Sequence, residues 1–478
     1  MTAQELESNV WDKAVEFGIL TQQMKDHDGK RGTPNAMKRS NISTLSYADG
    51  KAYFGYVRPE EAPSGAYYDL SFVIFPQEND GKCVVSIGVG SAGYQRDFDL
   101  ASTAGARRAF IRLTKNDGYS FIKNDFTDIE STEKDLVDKI SSEEDLNPLQ
   151  SVIGVYSKVL LASRIVDPNT EEGMGVIYAW LAQYAKLRNW GTKAQIKKQN
   201  DALKPYLNTK PADIQKDIKR LLKSRKYVVL QGAPGTGKTY NAQMMSNQYE
   251  RTHFIQFHAE TTYSDFVEGI RPKLNDKSLI YESTTGELVK AIKSAIELKP
   301  QNKNVLLIID EINRANLANV LGPVFYLFED QAETRQVKLK VAGYELSQLP
   351  DNLYVIATMN TADRSLAVVD FALRRRFAWY TIRPQEIKPK ENQEFHKDLF
   401  NRFCEIFDRY ATDEELNLQP GPSYFLTAKE ESAEIMHDRM VYELMPLIKE
   451  YLAEGLMRKA ADSFAQLFYE ETGLYLYE

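Results

Sequence analysis

The stretch Gly232-Ala-Pro-Gly-Thr-Gly-Lys-Thr239 decides the fold that we predict for this chain. It is a complete GxxxxGK[ST] motif that follows a predicted strand, 227–231, and opens a helical stretch, which is the context that a phosphate-binding P-loop requires. Its glycines allow backbone N–H groups to curl around a β-phosphate, and the helix N-terminus adds partial positive charge. The alternative is a chance glycine-rich loop, which this context disfavours.

Each residue of the loop has an expected role at a nucleotide. We expect Lys238 to bridge the β- and γ-phosphates and Thr239 to ligate Mg²⁺. The other residues expected to contact the nucleotide are Gly232, Ala233, Pro234, Gly235, Thr236, Gly237 and Tyr240. A loop of this kind reads phosphates and not the base, so the residues leave GTP and ATP open.

A second motif is Val305-Leu-Leu-Ile-Ile-Asp-Glu311, an apolar run that ends in two carboxylates. A buried strand of this kind delivers Asp310 to the Mg²⁺ ion, as a Walker B motif does. Glu311, one residue further on, is placed to activate the attacking water as a general base. An apolar strand ending in Asp-Glu is common by itself, but its position downstream of a P-loop favours the catalytic interpretation.

A polar residue ends the next predicted strand, 353–356, in the sequence Ala357-Thr-Met-Asn360. In AAA+ motors the strand beside Walker B ends in such a residue, sensor 1, which orients the attacking water. Asn360 is therefore a catalytic candidate. The competing interpretation is an ordinary loop with a helix cap.

Three adjacent arginines follow in the run Asp370-Phe-Ala-Leu-Arg-Arg-Arg-Phe377. Arginines at a helix C-terminus complement the helix dipole, which is the structural interpretation. They are alternatively arginine fingers that stabilise transition-state charge at a neighbouring subunit's nucleotide. Arg374 and Arg375 are the candidates, and the sequence does not decide which of them, or Arg376, would act.

The remainder of the C-terminal half has an α/β pattern. A predicted helix, 212–224, leads into the P-loop strand, and helices then alternate with short strands predicted as buried at 254–257, 305–310 and 353–359. Such alternation predicts a mostly parallel sheet covered on both faces. We expect an AAA+ α/β nucleotide-binding domain at 212–385 and a helical lid at 386–478.

The N-terminal half is predicted to hold a small α+β domain, 1–125, and a helical connector, 126–211. Turn signals separate strand-like runs at 51–57, 67–75 and 83–89. Helical periodicity is seen at 149–165 and 174–187. Basic residues are dense from 186 to 226, either as the solvated face of a helical connector or as a strip facing DNA or a partner. Some aromatic residues are either core packing or a base-stacking surface: Tyr47, Tyr53, Phe54, Tyr56, Tyr67 and Tyr68.

Composition excludes several other classes of protein. The net charge of −7 argues against a chain that coats nucleic acid over its whole surface. The two cysteines, Cys83 and Cys404, show no zinc or disulfide spacing. We expect a cytoplasmic protein, because neither a spanning apolar run nor a signal peptide is found. No nuclease motif is convincing, and the acidic stretch Asp128-Ile-Glu-Ser-Thr-Glu-Lys134 is predicted to be a loop.

Together these motifs resemble the motor subunits of the McrB family. The string Met359-Asn-Thr-Ala-Asp-Arg-Ser-Leu-Ala-Val-Val-Asp-Phe-Ala-Leu-Arg-Arg-Arg-Phe377 is similar to the family signature. Similar blocks occur in the family's order: Gln256-Phe-His258, Tyr263-Ser-Asp-Phe266 with Gly269-Ile-Arg-Pro272, Ile309-Asp-Glu-Ile-Asn-Arg-Ala-Asn316, and Gly421-Pro-Ser-Tyr-Phe425 in the lid. The resemblance covers residues 212–430, which is half of the chain.

The resemblance implies more than the residues do by themselves. It implies a hexameric ring that hydrolyses GTP rather than ATP, in which Asn360 positions the water with support from Asp363, Arg364 and Asp370. It implies modified DNA and a separate McrC-like nuclease subunit as partners, so that the chain is the motor of a modification-dependent restriction system. Two alternatives stay open: a MoxR-like ATPase that remodels a protein client, and a defence motor with an N-terminal ligand sensor.

Overall fold

The structure is a computed structural model that describes residues 1–20, 35–62, 64–207, 213–275, 278–329, 339–341, 343–362 and 371–477. The chain divides into two compact units. The first comprises Met1–Lys210 and Asp408–Thr412, and the second comprises Pro211–Phe407 and Asp413–Glu478. The predicted nucleotide-binding domain and the predicted lid, apart from Asp408–Thr412, therefore lie in one unit.

A six-stranded sheet forms the centre of the first unit. Its strands are β1 (Met37–Asn41), β2 (Tyr53–Val57), β3 (Leu70–Phe75), β4 (Cys83–Val89), β5 (Ser120–Ile122) and β6 (Leu160–Val166). Their order is β1-β2-β3-β4-β6-β5, and every neighbouring pair is antiparallel. The helices of this unit are α1 (Ala3–Glu16), α2 (Thr44–Ala48), α3 (Phe98–Ala101), α4 (Ala104–Ile111), α5 (Lys134–Ser142), α6 (Gln150–Tyr156), α7 (Glu171–Leu187) and α8 (Lys193–Leu203).

Helices cover both faces of this sheet. Successive residues of β3 enter different cores, because side chains alternate between the faces of a strand. Phe72 lies in a core with Trp180 of α7, whereas Val73 lies in a core with Leu136 and Ile140 of α5. A strand that is buried on both faces carries a continuous apolar run. The sequence predicts β3 and β4 as strands because each has such a run.

The predicted helical connector at 126–211 is wrong. Within it, the run predicted as helical at 149–165 is a short helix, α6, followed by the strand β6, which pairs with both β4 and β5. All seven residues of β6 are buried, and a short apolar run buried on both faces has no period that separates a strand from a helix. The run at 174–187 is helical as predicted, in α7. This region therefore completes the sheet of the first unit instead of linking two domains.

The aromatic residues of the first unit take several positions. Phe54 and Tyr56 are fully buried, and the ring centroids of Tyr56 and Phe72 are 6.1 Å apart. Core packing is thus confirmed for these two. Tyr47, Tyr53 and Tyr67 are half-buried, and Tyr68 is exposed. The acidic stretch before α5 is a loop, as predicted, in which the Asp128 carboxylate accepts hydrogen bonds from the backbone N–H groups of Glu130 and Ser131.

A five-stranded parallel sheet forms the centre of the second unit, as the α/β pattern predicts. Its strands are β7 (Tyr227–Gly232), β8 (Arg251–Gln256), β11 (Val305–Asp310), β14 (Leu353–Asn360) and β15 (Ala378–Thr381), in the order β15-β7-β14-β11-β8. Alternate residues of the central strands point to cores on opposite faces, one shared with α12 (Glu287–Leu298). The other is shared with α9 (Ile214–Arg225) and α10 (Lys238–Met245).

One strand of this sheet differs from its predicted environment. The run at 254–257 was expected to be a buried strand, but β8 lies at the edge of the sheet and none of its six residues is buried. The side chain of Phe254 is 43% exposed. Aromatic residues favour a strand in either position, so the sequence identifies the strand without deciding whether it has one neighbour or two.

The other elements of the second unit surround this sheet. They are α11 (Tyr263–Phe266), β9 (Glu268–Asn275), β10 (Ser278–Thr285), α13 (Leu317–Leu321), β12 (Leu339–Val341), β13 (Tyr344–Leu346) and α14 (Phe371–Arg376). The C-terminal part has the helices α15 (Lys397–Tyr410), α16 (Ser432–Arg439), α17 (Met445–Ala453) and α18 (Ala461–Thr472), with a small hairpin of β16 (Gln393–Phe395) and β17 (Leu426–Ala428). Across the described ranges, no helix is long and apolar enough to span a bilayer.

Candidate nucleotide-binding site

The P-loop connects the end of β7 to the start of α10, as its motif requires. Gly235 and Gly237 have φ angles of +77° and +83°, in the left-handed region that favours glycine. Gly237 is also the N-cap residue of α10. The sequence folds into this loop because glycine occupies the two positions where other residues would be strained.

The side chain of Lys238 lies within the loop. It is largely buried, and its ammonium group donates hydrogen bonds to the carbonyl oxygens of Gly232 at 3.0 Å and Ala233 at 2.9 Å. Thr236 donates to the same carbonyl of Ala233. Tyr240, a predicted nucleotide contact, is 57% exposed on α10. The loop thus holds the Lys238 ammonium group among its own carbonyl groups.

The P-loop and Walker B residues meet directly. The hydroxyl of Thr239 donates to Asp310 Oδ1 over 2.8 Å. A hydroxyl and a carboxylate are oxygen ligands of the type that Mg²⁺ takes alongside substrate phosphates. In the part of the chain that the structure describes, no three His, Cys, Asp or Glu side chains cluster as a metal site. The oxygen donors of Thr239 and Asp310 fit the chemistry of a Mg²⁺ ion.

Glu311 has an unusual backbone at the end of β11. Its φ and ψ are +54° and +48°, a left-handed conformation that is uncommon for a residue other than glycine. Its backbone N–H donates to Thr358 Oγ1 at 3.0 Å, and its carboxylate lies 3.4 Å from Arg314 Nε. Backbone strain of this kind clusters at active sites, where the surrounding structure holds it.

Asn360 ends β14 at the same edge of the sheet, since it is paired in register with Gly232. Its side-chain oxygen accepts from the backbone N–H of Ala362 at 3.3 Å. Its carbonyl oxygen accepts from Asn313 Nδ2 at 3.3 Å. Parallel strands bring their carboxyl ends to one edge, which is where ligands bind in open α/β sheets. Asp363, Arg364 and Asp370, the predicted supporting residues, lie outside the described residues.

The three arginines of α14 differ sharply in environment. Arg376 is buried, is paired with Glu329 and lies 4.0 Å above the ring of Phe325. Arg375 is also paired with Glu329, at 3.0 Å, but its side chain is 69% exposed. Arg374 is exposed and lies over the ring of Trp379. Of these three arginines, Arg374 and Arg375 therefore present their guanidinium groups at the surface.

The structure adds residues that the sequence did not single out for the site. Thr358 and Asn313 bond to the Walker B and sensor 1 residues, as described above. The lid segment 421–425 contacts the P-loop: Gly421 N–H donates to Pro234 O at 2.9 Å, and Ser423 N–H donates to Gly235 O at 3.2 Å. This segment was visible only as a block similar to the McrB family. No local pattern could have predicted its contact.

Comparisons with known proteins agree with this geometry. Residues 227–377 match the family described as AAA domain (dynein-related subfamily). The chain is 33% identical over 264 residues to the type IV methyl-directed restriction enzyme EcoKMcrB subunit of Escherichia coli (strain K12), covering 50% of this chain and 56% of that protein. It is 28% identical over 191 residues to the type II restriction enzyme BsuMI component YdiS of Bacillus subtilis (strain 168), covering 32% of this chain and 55% of that protein.

This chain thus spans little more than half the length of each of these relatives. The chain is similar to two restriction proteins and contains a matched AAA domain. It also has a five-stranded parallel sheet and a hydrogen bond between its P-loop and Walker B residues. On these grounds the second unit has an AAA+ fold, and the chain is similar to the McrB subunit over half of its own length.

Proposed function

We propose that this chain hydrolyses a nucleoside triphosphate at the carboxyl edge of its parallel sheet. The observation that carries the proposal is the hydrogen bond between Thr239 and Asp310, with Glu311 next in sequence. Lys238 binds the β- and γ-phosphates, and Thr239 and Asp310 hold Mg²⁺. When bound there, Mg²⁺ neutralises charge that develops on the phosphate oxygens. Glu311 accepts a proton from the attacking water, which Asn360 orients.

Two substitutions separate binding from chemistry. Lys238→Ala removes the phosphate-binding cation, so nucleotide affinity should fall. Glu311→Gln removes only the base, so binding should persist while turnover stops. A matched control is Glu297→Gln, because that carboxylate is 62% exposed on α12. Wild-type affinity in Lys238→Ala, or rapid turnover by Glu311→Gln, would contradict the proposed site.

The substrate is proposed to be GTP, with ATP as the alternative. The support is the resemblance to the McrB family, since the residues proposed for the site bind phosphates and do not distinguish the bases. Hydrolysis rates with GTP and ATP at matched concentration decide between them. A wide preference for ATP would reject the GTP assignment and leave the roles of Lys238 and Glu311 unchanged.

The active form is proposed to be a ring, hexameric by resemblance, in which an arginine completes the neighbouring site. The exposed Arg374 and Arg375 support this, because a finger must reach beyond its own subunit. Finger variants should lose turnover more than nucleotide binding, since a finger stabilises the transition state. Mixing such a variant with Glu311→Gln should partly restore hydrolysis, because some mixed interfaces regain both residues. Full activity as a monomer would contradict the ring.

The motor is proposed to serve DNA restriction with a separate McrC-like nuclease subunit, and modified DNA is the proposed ligand of the first unit. The support is that both curated relatives are parts of restriction enzymes. Gel shifts of the full chain with modified and unmodified DNA test the ligand. DNA cleavage after addition of a McrC-like nuclease subunit tests the partner. If neither DNA binding nor DNA cleavage is seen, and the chain instead unfolds a protein client as it hydrolyses nucleotide, the MoxR-like alternative is favoured.

A further inference from the structure

We propose that Thr358 is a positioning residue for hydrolysis, whose hydroxyl holds both the Asp310 carboxylate and the backbone of Glu311. The inference rests on the proposed hydrolytic function. Thr358 lies on β14, which is flanked by β7 and β11 in the sheet. Thr358 thus lies on the strand that ends in Asn360, next to the strand that ends in Asp310.

Both hydrogen-bonding capacities of this hydroxyl are used. Thr358 Oγ1 donates to Asp310 Oδ1 over 2.6 Å and accepts the Glu311 N–H over 3.0 Å. A hydroxyl has one proton and two lone pairs, so the two bonds form together. Asp310 Oδ1 also accepts from Thr239. One carboxylate oxygen is thus shared between hydroxyls of the P-loop helix and the sensor 1 strand, which restricts its rotation.

The bond to Glu311 has a second consequence. The left-handed backbone of Glu311 costs energy and persists only where other contacts enforce it. Thr358 supplies a contact of this kind at the strained residue itself. Because the φ and ψ angles of Glu311 set the direction of its Cα–Cβ bond, the position of the proposed base depends on this hydroxyl.

Thr358 does not act on the substrate itself. Its side chain is fully buried, with 0% exposure, so it has no access to nucleotide or to the attacking water. A purely structural threonine in such a place would be replaced well by valine, which has a similar shape. A positioning role requires the hydroxyl, so serine should substitute for it and valine should not.

The test compares Thr358→Val with Thr358→Ser, and uses Ser294→Ala as a control. Ser294 is buried on α12 and bonds to Arg251 and His253, away from the P-loop. We expect Thr358→Val to lower kcat by about 10–100-fold, the size of effect that a small misplacement of reacting groups produces. KM should change little, Thr358→Ser should keep most of the kcat, and Ser294→Ala should keep all of it.

Equal kcat values for the valine variant and the wild type, or equal losses for valine and serine, would overturn the proposal. Crystal structures of the two variants provide a readout that needs no turnover. Glu311 should keep its positive φ in Thr358→Ser and leave it in Thr358→Val. An unchanged Glu311 backbone in the valine variant would also overturn the proposal. Absence of hydrolysis by the wild type would instead reject the proposed function, and the Glu311 backbone would still decide the role of Thr358.

Discussion

Two alanine substitutions, one at Gly235 and one at Gly237, distinguish the cost of backbone strain from the cost of displacing the lid segment 421–425. Both glycines have left-handed backbones, with φ of +77° and +83°. An alanine in that region costs about 1–2 kcal/mol, so the two variants carry similar strain. Their surroundings differ: a Cβ on Gly237 meets Asn241 Nδ2 at 3.4 Å, whereas a Cβ on Gly235 would lie 2.4 Å from Ser423 Oγ.

The expected magnitudes follow from these contacts. Without nucleotide, the substituted loop can relieve the strain by adopting another conformation. Nucleotide binding requires the left-handed conformation, so the energy of the strain lowers the nucleotide affinity. Gly237→Ala should weaken nucleotide binding by about 5–30-fold. Gly235→Ala must also displace the lid segment, which loses up to two backbone hydrogen bonds worth ~0.5–1.5 kcal/mol each. Its affinity should therefore fall by a further factor of about 5–150.

Titration with a fluorescent nucleotide measures both affinities, and circular dichroism checks that each variant folds. Gly343→Ala is the matched control, because Gly343 has a φ of +87° with no heavy atom within 4 Å of the added Cβ. Gly343→Ala places a similar backbone strain in a different loop, so its nucleotide affinity should equal that of the wild type. Equal losses in Gly235→Ala and Gly237→Ala would refute the contribution of the lid contact. Wild-type affinity in Gly237→Ala would refute the strain argument.

Arg376→Ala should lower thermal stability by about 0.5–3 kcal/mol, because it removes a buried guanidinium group that pairs with Glu329 and packs against the ring of Phe325. Arg375→Ala should leave the melting temperature unchanged and lower turnover; equal melting temperatures for the two would contradict this. Burial raises the pKa of the Cys83 thiol, so a thiol reagent should label the half-buried Cys404 first and Cys83 only after unfolding. Rapid labelling of both thiols in the native protein would be the contrary result. Asp97→Ala should destabilise the first unit by about 3–5 kcal/mol, measured by denaturant unfolding, because that carboxylate is ion-paired with two arginines and 5% exposed.

The errors in the predicted fold have a common physical origin. The strand β6 was read as part of a helical connector, because seven consecutive buried residues carry no alternation. The strand β8 was expected to be buried, because its aromatic and β-branched residues suit both edge and central positions. In both cases the missing information was the set of neighbouring strands, which decides whether a run is buried on both faces or lies at an edge of the sheet.

The sequence by itself determined the parallel α/β architecture of the second unit and the identity of the P-loop. Spacing within a few residues is sufficient there, because glycines, a lysine and a hydroxyl must be adjacent to wrap one phosphate group. Only the tertiary structure decided that Thr358 bonds to Asp310 and Glu311, that residues 421–425 contact the loop, and that Arg376 is buried while Arg374 is exposed. These contacts join residues that lie far apart in the chain. Local periodicity could not predict them, because it shows which face of a helix or strand is apolar but not which other element packs against that face.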